Sequence, residues 1–233
     1  MNPQPRLAVF GGGRMGRQVA ERAESAGFHL LGLVTRQSNG GDWTEVRQLG
    51  DLAETPDVVI DFSLPGGTAI AADWCAEHRV PLVSGTTGLS EDDEAALERA
   101  SAHTAVLWSS NFGLGINVLL AWLSQAADWL PGGREAHILD IHHVHKQDAP
   151  SGTALSLGEA LGGAIEYDSV REGEVIGEHR VRLKWQGESL ELVHRAEDRG
   201  LFASGALRAA RWVLGRPNGR YGNLDWLTGS SAV

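Results

Sequence analysis

The first half of the chain alternates short apolar runs with longer amphipathic stretches. Leu7 to Phe10, Leu30 to Val34, Val58 to Phe62, Val80 to Val83 and Ala105 to Trp108 are near-continuous apolar runs of strand length, the pattern of strands covered on both faces. Between them lie helical spacings. Arg14 to Ala26 sets Met15, Val19, Ala23 and Ala26 on one face, with Gly27 placed to end the helix. Thr68–His78 and Glu91–Ala102 repeat the pattern, the second opened by Ser90 with Asp93 and Glu94 behind it. Parallel strands need crossover connections, so this alternation predicts a parallel sheet with helices on both faces.

Beyond Asn111 the pattern changes. A long helix is expected over Ile116–Leu130, stopped by Pro131-Gly132-Gly133, and then a strand over Ala136–His143 whose far end is polar. Val181–Trp185 and Leu190–His194 alternate in polarity around a turn at Gln186–Ser189, which reads as a hairpin and therefore as an antiparallel or mixed sheet. We expect an α/β protein with a first domain over residues 1–112, to which residues 205–233 return through an apolar helix at Ala206–Leu214. A second α+β domain is expected over residues 113–204, with hinges at Asn111-Phe112-Gly113 and Ser204-Gly205.

Composition narrows the function. A chain of 233 residues, 42% hydrophobic and 21% charged, is neither disordered nor fibrous. Lys+Arg 20 against Asp+Glu 30 gives a net charge of −10, and without a basic patch this argues against nucleic acid or a membrane surface as partner. Cys75 is the single cysteine and is expected to be a small core residue in a reducing compartment. No secretion signal or bilayer-length apolar run is present, so a cytoplasmic location is expected. Glycine, at 30 residues, is about twice its usual share, which points to tight turns or close approach of backbone to a ligand.

Gly11-Gly12-Gly13-Arg14-Met15-Gly16 is a G-x-G-x-x-G set between a strand and a helix. Missing side chains let such a turn approach a pyrophosphate, whose charge is met by the amides of the helix start, so the first domain reads as Rossmann-like and dinucleotide-binding. The acid that usually meets the ribose at the end of the second strand is absent from Val34-Thr35-Arg36-Gln37-Ser38. Arg36 is instead suited to a 2′-phosphate, which favours NADPH over NADH, although a plain surface arginine is the alternative. Ser84-Gly85-Thr86-Thr87-Gly88 and Ser109-Ser110-Asn111-Phe112 follow later strands, where open parallel sheets bind ligands.

His142-His143-Val144-His145-Lys146-Gln147-Asp148-Ala149-Pro150-Ser151-Gly152-Thr153 is the densest polar segment. A zinc site is one reading, but Lys146 would stand beside the metal, and His142 and His143 face opposite sides of a strand, so no metal is expected. Acid–base chemistry fits better: a histidine delivers a proton, a lysine fixes an anion, and the helix starting at Ser151-Gly152-Thr153 offers a place for a carboxylate.

The stretch His-His-x-x-Lys-x-Asp-x-Pro-Ser-Gly-Thr-Ala, His142 to Ala154, resembles the signature of the 4-hydroxy-tetrahydrodipicolinate reductase (dihydrodipicolinate reductase) family. Asp61-Phe62-Ser63, Gly85–Gly88, Asn111-Phe112 and Val170–His179 extend the resemblance in the same order. It implies NADH- or NADPH-dependent reduction of a cyclic dicarboxylate in lysine and diaminopimelate biosynthesis, by a homotetramer assembled through the second domain. It further implies that His142 is the proton donor and Lys146 the second catalytic residue, with His143, Ser151, Gly152 and Thr153 on the substrate. Gly11, Gly12, Gly13, Arg14, Met15, Gly16, Arg36, Gly85, Thr86, Thr87, Ser109, Ser110, Asn111 and Phe112 would then contact the cofactor. Three departures are visible: the glycine turn is one residue shorter than the common form, Thr35 stands where many members have an acid, and the tail from Arg216 to Val233 is only loosely similar. Another dehydrogenase of the same architecture, a non-catalytic NAD(P)-sensing protein and a metal-dependent hydrolase remain alternatives at this point.

Overall fold

The computed structural model describes residues 3–37, 40 and 42–228, so Ser38 and the tail's residues 229–233 lie outside the description. The chain forms two compact units, residues 1–112 with 202–233, and residues 113–201.

The first unit is built on seven strands: β1 (Arg6–Phe10), β2 (His29–Val34), β3 (Glu45–Val46), β4 (Val58–Asp61), β5 (Leu82–Ser84), β6 (Ala105–Trp108) and β11 (Gly219–Tyr221). They lie in the order β11-β6-β5-β4-β1-β2-β3, every pairing parallel. Successive strand residues point to opposite faces. Leu7, Val9, Ile60 and Leu107 accordingly pack on one side with Val19 of α1 (Arg14–Arg22) and with Ala206 and Ala210 of α6 (Gly200–Val213). Ala8, Val59, Leu82 and Val106 pack on the other with α2 (Gly67–His78) and α3 (Glu91–Ser101), where Cys75 is fully buried. Ser90 caps α3 by accepting from the Asp93 N–H at 3.2 Å, while Asp93 bonds back to the Ser90 N–H at 3.0 Å.

Some expectations need correction. α1 ends at Arg22 rather than Ala26, because the chain leaves the helix through a turn in which Phe28 N–H bonds the Ala23 carbonyl at 2.9 Å and Gly27 takes φ +77°. Ser204-Gly205 is no hinge: both residues lie inside α6, where a Cβ on Gly205 would come within 1.8 Å of the Phe112 carbonyl oxygen. The glycine serves helix packing instead. β3 and β11 are too short to give a pattern, and the 3-10 turn at Leu49–Asp51 and α7 (Asp225–Thr228) were equally silent.

The second unit is a mixed four-stranded sheet in the order β10-β9-β7-β8: β7 (Glu135–His142), β8 (Glu166–Arg171), β9 (Gly177–Trp185) and β10 (Glu188–Ala196). β9 runs antiparallel to both β7 and β10, and β8 runs parallel to β7. The expected hairpin is the β9–β10 pair, closed at Gln186-Gly187. α4 (Leu114–Ala126) and α5 (Gly152–Leu161) pack on each other and on β10 and β7 respectively. β8 is half-exposed and largely polar, which hid it from the hydrophobic pattern. Among the described residues no helix is long and apolar enough to cross a membrane.

Candidate functional site

In the first unit the glycine turn joins β1 to α1. Gly11 takes φ +113°, and its N–H bonds the Val34 carbonyl at 2.9 Å. A Cβ on Gly11 would lie 2.4 Å from the Phe62 carbonyl oxygen, and one on Gly16 would lie 1.8 Å from the Gly11 carbonyl oxygen. These two glycines close the turn against β4 and α1. Gly13, the residue before α1, is different: a Cβ there meets nothing within 4 Å. It opens on a cavity of about 860 Å³ bounded by Gly11–Gly13, by Arg36 and Arg47, and by the apolar side chains of Leu64, Ile70 and Trp74. An amide-lined turn, two cations and an apolar wall suit the phosphates and base of a dinucleotide. Arg47 donates to the Arg36 carbonyl, so both guanidinium-bearing residues stand at the end of β2, beyond Thr35. Arg14 is exposed at the helix start and Met15 packs partly into the core.

The loops after β4 and β5 are organised by one buried carboxylate. Asp61 Oδ2 accepts from Thr68 Oγ1 at 2.7 Å, Ser84 Oγ at 2.8 Å and Thr86 Oγ1 at 3.1 Å, and Oδ1 accepts from the Ser63 N–H at 2.9 Å. Thr86 thus spends its hydroxyl inward. Gly85 lies under the Phe62 ring, which a Cβ would strike at 2.2 Å, and Thr87 is exposed. Ser109 is fully buried, donating to the Asn111 carbonyl at 2.7 Å and accepting from its N–H at 3.1 Å. Phe112 is a core residue edge-on to Phe62 at 6.0 Å, while Ser110 and Asn111 are half-buried.

In the second unit the helix-covered face of β7 runs Ala136, Ile138, Asp140, His142, apolar and then polar. Asp140 has no exposed surface. Its Oδ1 receives His142 Nδ1 at 2.9 Å and Arg171 Nη1 at 2.8 Å; its Oδ2 receives Ser169 Oγ at 2.6 Å and the Ser151 N–H at 3.2 Å. Burial works against the Asp140 charge, but the hydrogen bonds from Ser169, Ser151 and Arg171 outweigh it and hold this carboxyl below its usual range. His142 moves the other way: burial first and the Lys146 charge second push it down to about 4, against the pull of Asp140. His179, directly opposite Asp140 on β9, stands edge-on to His142 at 5.2 Å and bonds Ser151 Oγ through Nε2 at 3.2 Å. Burial pushes His179 to about 3.

Lys146 pairs with Asp148 at 2.9 Å in the loop leading to α5. Ser151 caps that helix by accepting from the Ala154 N–H at 3.2 Å. Gly152 is exposed, with open space where a Cβ would be, and Thr153 is largely buried behind it. His143 follows the end of β7 and is half-buried, its ring 6.1 Å from that of His145. The segment therefore brings His142, Lys146, Ser151, Gly152 and Thr153 into one unit with Asp140. Among the described residues no group of three His, Cys, Asp or Glu side chains is placed to hold a metal ion.

Sequence reasoning gave no role to Asp140, Arg171, His179, Asp61 or Arg47, although Asp61, Arg171 and His179 lie in stretches that carry the resemblance. Two of the five also left a signal in the strand pattern. Asp140 and His179 are polar residues at alternate positions on strand faces otherwise occupied by Ile138, Val181 and Leu183.

Comparison with known proteins gives a consistent picture. The family model described as dihydrodipicolinate reductase, N-terminus, matches residues 5–112, and that described as dihydrodipicolinate reductase, C-terminus, matches residues 115–227. The chain is 47% identical over 219 residues to a 4-hydroxy-tetrahydrodipicolinate reductase of Xanthomonas euvesicatoria pv. vesicatoria, covering 90% of this chain and 91% of the relative. It is 35% identical over 266 residues to one of Acinetobacter baumannii, covering 97% of each. Among solved structures, dipicolinate-bound dihydrodipicolinate reductase from Paenisporosarcina sp. TG-14 has a TM-score of 0.76 at 21% identity, covering 94% of this chain and 97% of that one. GenD2 from gentamicin A biosynthesis, solved with NAD, has a TM-score of 0.67 at 14% identity over 93% of this chain and 88% of its own. Both structural likenesses are likenesses of fold.

Proposed function

Given that the chain belongs to the dihydrodipicolinate reductase family, we propose that it reduces 4-hydroxy-tetrahydrodipicolinate to tetrahydrodipicolinate in lysine biosynthesis, drawing on NADPH or NADH. The observation that carries this reading at the level of residues is the Asp140–His142 pair, buried beside Lys146 and the capped start of α5. A bound nicotinamide supplies the hydride; the chain must supply a proton and hold a dianion. Overall, one hydride and one proton are added and one water is lost.

His142 is assigned the proton, delivered from Nε2, because Nδ1 is committed to Asp140. Lys146 offsets the negative charge of the ring's carboxylates and can release Asp148 to do so. The Ser151-Gly152-Thr153 start of α5 and His143 complete the carboxylate contacts, with Gly152 leaving the backbone open to a ligand. On the cofactor side Gly11–Gly13 and the start of α1 face the pyrophosphate, with Gly16 letting the helix close on the turn. Arg36, joined by Arg47, favours NADPH through the 2′-phosphate. Loops 85–87 and 109–112 lie at the ends of β5 and β6, where the nicotinamide carboxamide and ribose are met. We place the enzyme in the cytoplasm as a homotetramer joined through the outer face of the four-stranded sheet, which shows Val170 and Val193 to solvent at 37% and 51% exposure.

A coupled assay that generates the cyclic substrate in situ and follows the absorbance of NADPH and then NADH tests the reading. Oxidation that depends on the substrate is expected. Cofactor binding with no substrate-dependent oxidation of either would overturn it.

A further inference from the structure

His142 presents a problem of proton supply. Asp140 receives four donors on its two oxygens, so it acts as an acceptor toward His142, and the imidazole proton sits on Nδ1. In the neutral ring Nε2 then carries no hydrogen. It stands over Gly177, where a Cβ would come within 3.2 Å, and has no hydrogen-bond partner among the described residues. A neutral imidazole in this tautomer cannot donate from Nε2. Only the imidazolium can.

The surroundings oppose that charge in the absence of ligand. Facing His142 are Arg171 on β8, His179 on β9 with His194 of β10 one ring beyond, Lys146 from the following loop, and the Ser151 N–H at the start of α5. The anions are Asp140, already shared among His142, Arg171, Ser169 and Ser151, and Asp148, spent on Lys146. The two anions are matched by Arg171 and Lys146, so the cluster lacks negative charge for a third cation, and a cyclic dicarboxylate brings two.

We infer that Asp140 is the positioning residue that fixes the His142 tautomer, and that a dicarboxylate binds together with one proton taken from solvent onto His142 Nε2. The substrate thereby arms its own acid. The proton acquired on binding is the one later passed to the ring carbon, after which the imidazole returns to its neutral Nδ1–H form. This rests on the dicarboxylate reading above, since it concerns the same segment. The downward displacement of the free His142 to about 4 agrees with it.

The test is calorimetric titration of the full chain with pyridine-2,6-dicarboxylate near pH 7, in buffers of different ionisation enthalpy. The expected uptake is about one proton per site, with Kd weakening about tenfold per pH unit between the free histidine's value of about 4 and the higher value it takes in the complex, and levelling off above that. His142→Gln should abolish the uptake while the dicarboxylate still binds. Asp140→Asn should reduce it severalfold, and Asp140→Glu should restore part of it, a rescue that a purely structural role would not give. Ring ¹⁵N spectra of the wild type provide a readout without any variant: one protonated nitrogen on His142 before ligand, two after. Binding without proton uptake, or uptake unchanged in His142→Gln, overturns this inference alone. Failure of the wild type to bind the dicarboxylate at all overturns the site assignment with it.

Discussion

The glycine turn allows a prediction in which two neighbouring residues behave in opposite ways. Gly16→Ala places a methyl 1.8 Å from the Gly11 carbonyl oxygen and 3.4 Å from Val9 Cγ1. Contact distance for such a carbon and oxygen is roughly 3.3 Å, so α1 or the turn must shift by about 1.5 Å. Gly11 cannot yield easily, held by its bond to Val34 and crowded by the Phe62 carbonyl. Overpacking of this kind costs about 1–3 kcal/mol, and the better helix propensity of alanine returns up to about 1 kcal/mol. A net loss of about 1–2 kcal/mol follows, a fall in Tm of about 2–8 °C for a chain of this size. Gly13→Ala meets nothing within 4 Å and sits at φ −74°, which alanine adopts freely. It should leave Tm within about 1 °C, yet its methyl projects where the pyrophosphate must approach, so NADPH affinity should fall about tenfold or more. Thermal unfolding and fluorescence titration with NADPH measure both quantities on the same samples. A Gly16→Ala protein as stable as wild type, or a Gly13→Ala protein that binds NADPH normally, would refute the steric reasoning.

Three further outcomes are expected. Arg47→Ala should raise KM for NADPH about tenfold, the worth of one exposed charge-assisted contact, and leave KM for NADH within about twofold; equal effects on both cofactors would separate Arg47 from the 2′-phosphate. His142→Ala should lower kcat by about 10²-fold or more in the steady-state assay, and unchanged turnover would remove it from the mechanism. Folding stability should fall as pH drops from about 6.5 to 4, because His142 and His179 take up protons near 6.5 in the unfolded chain but stay neutral in the fold until about 4 and about 3. Below that window the lowered carboxylates Asp57, Asp93, Asp140 and Glu178 carry the decline, as their folded-state advantage is lost on protonation. A denaturation midpoint that stays level from pH 7 to 5 would contradict the histidine part.

The parallel sheet was legible because its central strands are buried on both faces, so Leu7 to Phe10 and Ala105 to Trp108 are unbroken apolar runs. The His142–Thr153 segment was legible because polar residues at that density have no place in a core. What escaped depends on pairing between distant strands. Arg47 reaches the cavity only because the two-residue β3 aligns with the end of β2, and no local pattern announces a strand of that length. Asp140 and His179 face each other by register across β7 and β9, a relation absent from either segment alone. The Ser204-Gly205 hinge failed for a related reason: glycine there looked like a flexible joint, but its lack of a side chain serves the approach of α6 to the Phe112 carbonyl.

Asp61 ties Ser63, Thr68, Ser84 and Thr86 to a single point. Those five positions therefore form one heritable package: a replacement at any one strands the others, so viable evolutionary paths change them jointly or leave them alone. An engineer wishing to graft the Ser84–Thr87 loop onto another scaffold would have to carry over the tip of the neighbouring strand and the first turn of the helix behind it.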